Sequence, residues 1–348
     1  MKIGTRAIGP GEPPYVIAEI GVNHDGEIAR ALELTRAAAK AGADAVKLQY
    51  FETDRLLSKA AKLAAYQKAA GETDPVAMLR RLELSLNDMA RVVDLAHELG
   101  IHAIVTVFSV ELVKPASELG WDAYKSASPD VINRPLLEAL AATGRPLIVS
   151  TGASTWDELR RASDWLSGIR GSGLAFLQCV SCYPAPESAI EMMRSVHEAT
   201  GCGIGYSDHT PSVESGREAV LAGAEILEKH LTYSRAAIGP DHRASLDVEQ
   251  FIEYVGALPD RVMTGAIDVS VEPRKRVLAC ERDVRVVARQ SLTTTRDMKP
   301  GEIVAREDLA IKRPGTGIEP FRLDEVIGKR LARSVEADTP LVEDDLAN

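Results

Sequence analysis

Tyr15–Tyr50 reads YVIAEIGVNHDGEIARALELTRAAAKAGADAVKLQY and sets the pattern for most of the chain. It opens on an apolar run too short for a helix but right for a buried strand, Tyr15–Ile20, and closes on another, Ala45–Tyr50. Between them Ile28–Ala41 carries apolar residues at helical spacing and stops at Gly42, an expected helix end. Hydrophobicity that is nearly continuous, without alternation, suits a parallel strand covered on both faces.

The unit recurs. Further strand-like runs are His102–Phe108 (HAIVTVF), Trp121–Ser126 (WDAYKS), Pro146–Ser150 (PLIVS), Leu174–Val180 (LAFLQCV), Gly203–Ser207 (GIGYS) and Ile226–Leu231 (ILEKHL). Helical patterns at Leu86–Leu99, Pro135–Thr143, Thr155–Leu166 and Glu214–Ala222 fall between them, and Gly100, Gly144 and Gly223 end three of these. Eight strand–helix units in about 250 residues predict an α/β fold of the (β/α)8 TIM-barrel type rather than an open doubly wound sheet. No G-x-G-x-x-G follows the first strand and no Walker A lysine motif occurs, which removes the main support for a dinucleotide- or P-loop reading.

One spacing is abnormal. About 50 residues separate strands two and three, roughly twice the usual spacing of such units. The extra stretch, Phe51–Leu84, holds a polar helical piece and Gly71-Glu-Thr-Asp-Pro75. It should emerge at the C-terminal face of the barrel, as a substrate loop or as a plain surface insertion. A boundary falls near residues 265–283. The expected division is a barrel over 1–270, a linker over 271–283 and a small loop-rich β module over 284–348. Val284–Ala288 and Gln290–Thr294 read there as β-type runs, with turns at Lys299-Pro-Gly-Glu302 and Arg313-Pro-Gly-Thr-Gly317. A module so small has a thin core and is expected to lean on another surface.

The chain's 348 residues leave room for one large domain or two unequal ones, and 45% apolar with 26% charged residues fits a soluble globular protein. Acidic residues outnumber basic ones 51 to 41, so the net charge of -10 argues against nucleic acid or anionic lipid as partners. An anionic ligand would need a local positive pocket. Cys179, Cys182, Cys202 and Cys280 are too few for a disulfide framework in this length. No apolar run approaches the roughly 20 residues of a membrane span, and the N-terminus lacks a signal peptide's apolar core. A cytoplasmic protein is expected.

In a TIM barrel, polar residues at strand C-termini are the candidates for chemistry. Glu19, Lys47, Gln49, Thr106, Lys125, Ser128, Ser150, Ser181, Tyr183, Ser207, His209, Glu228 and His230 occupy such positions. A lysine within an otherwise apolar strand is costly to bury without a partner. Lys47 and Lys125 therefore read either as structural ion pairs with Glu19 or Glu228, or, with Thr106, Ser128, Ser150 and Ser207, as a cradle for a dianion. His209 and His230 end neighbouring strands, where two imidazoles can share one divalent cation and leave positions open for substrate oxygens. Alternatively, one or both is a hydrogen-bonded core histidine or a general base. His24 in Asn23-His-Asp-Gly26 reads as a loop-shaping residue, and His97 and His197 as surface residues. Cys179-Val-Ser-Cys182 lacks the second pair of a zinc site and the setting of a redox motif, so it reads as strand and loop.

Ile17-Ala-Glu-Ile-Gly-Val-Asn-His24, Lys47-Leu-Gln49, Ser150-Thr-Gly152, Tyr206-Ser-Asp-His-Thr210, Glu228-Lys-His-Leu-Thr232, Gly239-Pro-Asp241 and Lys312-Arg-Pro-Gly315 occur in that order. Together they resemble the bacterial sialic acid synthases, the N-acetylneuraminate synthases and the related legionaminic and pseudaminic acid synthases. The resemblance spans nearly the whole chain, and the tail resembles the family's antifreeze-like (SAF) domain. It implies condensation of phosphoenolpyruvate with an N-acetylmannosamine-type sugar, giving a nine-carbon 2-keto acid and phosphate with a divalent cation, manganese or magnesium. By resemblance, His209 and His230 would hold the metal. Lys47, Thr106, Lys125, Ser128, Ser150, Ser181 and Ser207 would hold phosphoenolpyruvate. Glu19, Gln49, Asp130, Tyr183 and Asp241 would face the N-acylated amino sugar, with Glu19 as an acid/base or orienting group. Arg313 would reach a partner's barrel in a domain-swapped homodimer.

Two positions depart from the family pattern. Many relatives carry Ser-Gly-Glu where this chain has Ser128-Pro-Asp130, and an Asn often precedes the Tyr-Pro pair where Ser181-Cys182 stand here. Gly239-Pro-Asp-His-Arg-Ala-Ser-Leu246 is more similar to the neuraminate and legionaminate branches than to the pseudaminate one. A barrel aldolase or a synthase of a shorter sugar acid would not explain the full tail with Arg313. A non-catalytic binding protein would not retain both lysines and both histidines.

Overall fold

The structure is a computed structural model that describes residues 1–170, 173–263 and 274–347. Eight parallel strands close a barrel in chain order: β1 (Tyr15–Glu19), β2 (Ala45–Tyr50), β3 (His102–Val107), β4 (Ala123–Ser126), β5 (Leu147–Ser150), β6 (Leu174–Cys179), β7 (Gly203–Asp208) and β8 (Ile226–His230). β8 pairs back onto β1. The (β/α)8 expectation holds, and helices Val110–Ser117, Met193–Thr200 and Val248–Gly256 belong to the outer ring besides those the sequence pattern marked. Helix Ile28–Lys40 buries Ala31, Leu34, Thr35 and Ala38, one face at helical spacing. Ser85 caps Leu86–Glu98 through its Oγ, which accepts from Asp88 N at 3.1 Å.

Alternation along the strands divides the core in two. Outward residues such as Val16, Ala18, Val46 and Leu48 pack beneath the helices. Inward residues Tyr15, Ile17, Ala45, Ile104, Ile148 and Ile226 fill the barrel, and Ile3 and Ile8 from the N-terminal hairpin join them. Two residues further along the same inward rows stand Glu19, Lys47, Thr106, Lys125, Ser150 and Glu228. The barrel interior is therefore apolar towards the strand starts and polar at their C-terminal ends.

The Phe51–Leu84 insertion forms three short helices, Thr53–Leu56, Ala65–Ala69 and Pro75–Arg81. Its Phe51, Leu56, Leu63, Met78, Leu79 and Leu82 cluster with Val22 and Phe108, both just beyond barrel strands. The insertion is thus a wall over the C-terminal face, not a detached surface loop.

The tail pairs β9 (Ser291–Thr294) with β10 (Leu309–Lys312) in antiparallel register around its own core of Leu292, Met298, Val304, Leu309, Val326 and Leu341. Val284–Ala288, expected as a β-type run, instead lies in helix Arg282–Ala288. Val284, Val287 and Ala288 fall at helical spacing and face the insertion's Tyr66, so burial against that wall overrides the local β preference. The expected boundary lies partly outside the described residues, which resume at 274. From there the expected linker is pinned to the barrel, where Lys275 Nζ donates to Gln178 Oε1 at 2.8 Å and to Cys179 O at 3.0 Å.

The tail leans on the barrel as expected. Arg285 and Arg289 both grip Glu158 in helix Trp156–Trp165, at 2.7 Å to Oε1 in each case. Burial works against charge on Glu158, but hydrogen bonds from Arg289 and Arg285 hold its carboxyl below the usual carboxylate range. Glu158→Ala leaves the buried Arg289 with the Ala153 carbonyl at 3.2 Å and, to balance its charge, a 3.7 Å contact with Glu319. The expected loss is about 3 kcal/mol in denaturant unfolding at neutral pH. Because the folded-state pKa is depressed, this stabilisation is present above the unfolded value and fades as pH falls below about 4. A variant as stable as the parent at neutral pH would show that the bridge does not hold the tail.

Candidate active site

The strand register builds the site. Glu19 pairs in register with Lys47 on one side and His230 on the other, Thr106 with Gln49 and Lys125, and Glu228 with Ser207. Since these pairs lie at the C-terminal ends, their side chains converge on one pocket of about 920 Å³ including its mouth. Glu19, Lys47, Gln49, Thr106, Lys125, Ser128, Ser150, Ser181, Tyr183, Ser207, His209, His230, Asp241 and Arg313 all line it. Asp130 is the exception. It is buried outside the lining, its side chain ending near Asn133 and its charge facing Arg313. Burial raises its pKa to about 7.

The ion-pair reading of the lysines holds. Lys47 is ion-paired with Glu19 and lies 3.7 Å from Glu228 Oε2, while Lys125 Nζ is 3.2 Å from Glu228 Oε1. Lys47 Nζ also donates to Thr106 Oγ1 at 3.0 Å, and Ser207 Oγ donates to Glu228 Oε1 at 2.9 Å. The expected cationic pocket is therefore compensated, two ammonium groups set against two carboxylates. Burial opposes charge on Glu228, but Lys125 and Lys47 outweigh it and bring its pKa down to about 2. Burial also dominates at Lys47, whose pKa falls to about 7 despite Glu228.

Hydroxyls supply unspent donors. Ser150 Oγ and Ser181 Oγ are buried without a hydrogen-bond partner, each an arrangement that costs roughly 1–3 kcal/mol unless a ligand accepts from it. Ser128 Oγ accepts from Gly152 N at 3.0 Å. A residue larger than glycine at 152 would push both hydroxyls aside, because a Cβ there would lie 2.1 Å from Ser181 Oγ and 2.9 Å from Ser128 Oγ.

The His209 and His230 rings stand 5.5 Å apart. His209 Nδ1 is 2.8 Å from Val180 O, so this nitrogen carries the proton and Nε2 keeps the lone pair. His230 Nδ1 is buried without a hydrogen bond, 3.8 Å from Asp241 Oδ2, and burial keeps the ring neutral by pushing its pKa well down. Two imidazoles and an unpartnered ring nitrogen fit one divalent cation completed by substrate oxygens. Among the described residues, no group of three or more His, Cys, Asp and Glu is assembled as a ready metal cage. Asp241 stands beside His230, and burial raises its pKa to about 6.

The insertion and the tail complete the walls. Tyr66 packs on Tyr183 at 4.9 Å and Tyr183 on His209 at 4.1 Å between centroids. Arg313 lines the pocket. Its N–H donates to Leu56 O at 2.8 Å, its carbonyl accepts from Ser58 Oγ at 2.8 Å, and its guanidinium lies 5.4 Å from the Phe108 ring centre.

Two participants escaped the sequence reading as site residues. Cys179 ends β6, and its Sγ sits 3.6 Å from His209 Nδ1. Tyr66 lies in the irregular insertion, where no periodicity marks it. The remaining histidines fall as expected: Gly26 N donates to His24 Nδ1 in its loop, and His97 and His197 are exposed. Asp208 and Lys229, adjacent to site residues, point outward and pair with each other at 2.8 Å.

Residues 34–262 match the model of the NeuB family and residues 289–347 that of the SAF domain. The chain is 35% identical to the N,N'-diacetyllegionaminic acid synthase of Legionella pneumophila, over 97% of this chain and 96% of that protein. It is 29% identical to the human N-acetylneuraminate-9-phosphate synthase, over 99% and 95%. A spore coat polysaccharide biosynthesis protein of Bacillus subtilis superposes with a TM-score of 0.82 at 28% identity, covering 100% of this chain and 99% of that one. The chain therefore belongs to the NeuB family, its barrel followed by a SAF domain.

Proposed function

We propose that the protein condenses phosphoenolpyruvate with an N-acetylmannosamine-type sugar and water, giving a nine-carbon 2-keto acid and phosphate. The observation that carries this reading is the set of buried Ser150 and Ser181 hydroxyls, unpartnered in one pocket with Lys47 and Lys125. A second reading, a 2,4-diacetamido-trideoxy sugar as acceptor, is favoured by the 35% identity to the legionaminic acid synthase.

Lys47, Lys125, Thr106, Ser128, Ser150, Ser181 and Ser207 hold the phosphate and carboxylate of phosphoenolpyruvate, fixed donors that stabilise charge without reorganising. Gln49, Tyr183, Asp241 and Arg313 orient the sugar, and Asp130 acts on it through Arg313. His209 and His230 hold a divalent cation, manganese or magnesium, which when bound supplies Lewis acidity for the open-chain aldehyde. Carbon 3 of phosphoenolpyruvate forms the new C–C bond to the aldehyde carbon. Water adds at carbon 2, and the C–O bond to phosphate then breaks. Glu19, between Lys47 and His230, is placed to move a proton at the new hydroxyl or at the water. Holding both substrates in one walled pocket removes much of the entropic barrier.

Among the described residues, no helix is long and apolar enough to cross a membrane. Four free thiols suit a reducing, cytoplasmic setting. A homodimer that exchanges tails would reproduce the Arg313 contacts between chains.

Purified protein with manganese, phosphoenolpyruvate and either sugar should release phosphate and form a 2-keto acid, and the preferred sugar decides between the two readings. No phosphate release with either would refute the synthase assignment. A bound dianion favours charged Lys47, so KM for phosphoenolpyruvate should rise with pH through about 7, by up to about tenfold per unit. A flat profile from pH 6 to about 9 would remove Lys47 from the anion site. Mixing refolded His209→Ala and Arg313→Ala chains should restore about a quarter of parental activity if tails are exchanged, by statistical pairing. No recovery would place Arg313 in its own chain's site.

A further inference from the structure

Glu281 belongs to the segment that joins barrel and tail, not to the barrel, and it does not line the pocket. It is nevertheless fully buried. Its Oε1 accepts the backbone N–H of Ala153 at 2.6 Å and of Ser181 at 2.8 Å. Its Oε2 accepts from Leu278 N at 2.8 Å, at the start of its own turn. One carboxylate oxygen thereby ties together the chain just beyond β5 and the chain just beyond β6. These are the segments that carry Ser150, Gly152 and Ser181.

The tie matters because those residues have no slack. Gly152 is packed so closely between Ser128 and Ser181 that any side chain there would displace their hydroxyls. Arg285 and Arg289 hold the Ala153 carbonyl from the other side, so the turn is clamped at both its N–H and its C=O. Ser181 has a one-carbon side chain, so where its hydroxyl stands follows the backbone.

We propose that Glu281 is a positioning residue for the anion-holding end of the pocket. By bridging the Ala153 and Ser181 amides it sets the gap between the β5 and β6 ends, and so the convergence of the Ser128, Ser150 and Ser181 hydroxyls. The joining segment is then part of the binding apparatus, and the tail acts on both substrates: through Arg313 on the sugar and through Glu281 on the phosphate. The inference rests on the reading that these hydroxyls hold phosphoenolpyruvate.

Reach and charge are separable here. Glu281→Gln keeps an oxygen able to accept both amides and loses the Leu278 bond and the charge facing Lys275. Glu281→Asp keeps the charge but is one methylene too short to bridge. The full-length variants are compared by KM for phosphoenolpyruvate, KM for the sugar and affinity for inorganic phosphate. Glu281→Asp should raise KM for phosphoenolpyruvate and weaken phosphate by about tenfold or more, with KM for the sugar nearly unchanged, whereas Glu281→Gln should stay within about threefold of the parent. Asp equal to Gln, or a sugar KM rising in parallel, would overturn the positioning role. Should the parent not turn over phosphoenolpyruvate, the function reading fails by itself, and the phosphate affinities of Gln against Asp still decide the proposal.

Discussion

Ammonium groups in the mouth of a closed barrel cannot remain charged without carboxylates beside them, and this constraint organises the protein. Lys47 and Lys125 are almost wholly buried, and so are Glu19 and Glu228, their partners. Desolvating four charges is expensive, and it is offset only because the parallel register brings opposite signs to neighbouring strands. Removing any one member would leave a buried charge uncompensated. The network therefore fixes the rotamers of the residues that surround the pocket, including the Thr106 and Ser207 hydroxyls bonded into it.

Compensation also changes how such a pocket takes an anion. The site does not attract a dianion by a surplus of positive charge, since its charges balance. It offers hydroxyl donors that have no other partner and one lysine, Lys47, whose pKa of about 7 lets its charge state respond to a ligand. A chain with a net charge of -10 can in this way hold a multiply charged substrate without a basic surface. Selectivity comes from where the donors stand, which places weight on the elements that hold the strand ends apart.

Those elements come from outside the barrel. The insertion after β2 supplies the apolar wall and Tyr66, and the tail supplies Arg313 at the rim and Glu281 beneath the β5 and β6 turns. Glu158, gripped by Arg285 and Arg289, fastens the tail beside the same turn, whose Ala153 carbonyl those two arginines also hold.

The sequence by itself determined the barrel, because eight apolar runs separated by amphipathic helices have one economical way to bury both faces of a parallel sheet. It also determined which side chains enter the mouth: Lys47 and Gln49, Glu228 and His230 each differ by two residues and must share a face. Tertiary structure alone decided the rest. Val284–Ala288 became a helix because its apolar face met the insertion, Asp130 withdrew from the lining towards Arg313, and Glu281 reached two strand ends 100 and 128 residues away in sequence. Such contacts leave no periodic trace, for they arise between elements whose separation along the chain is set by topology, not by local spacing.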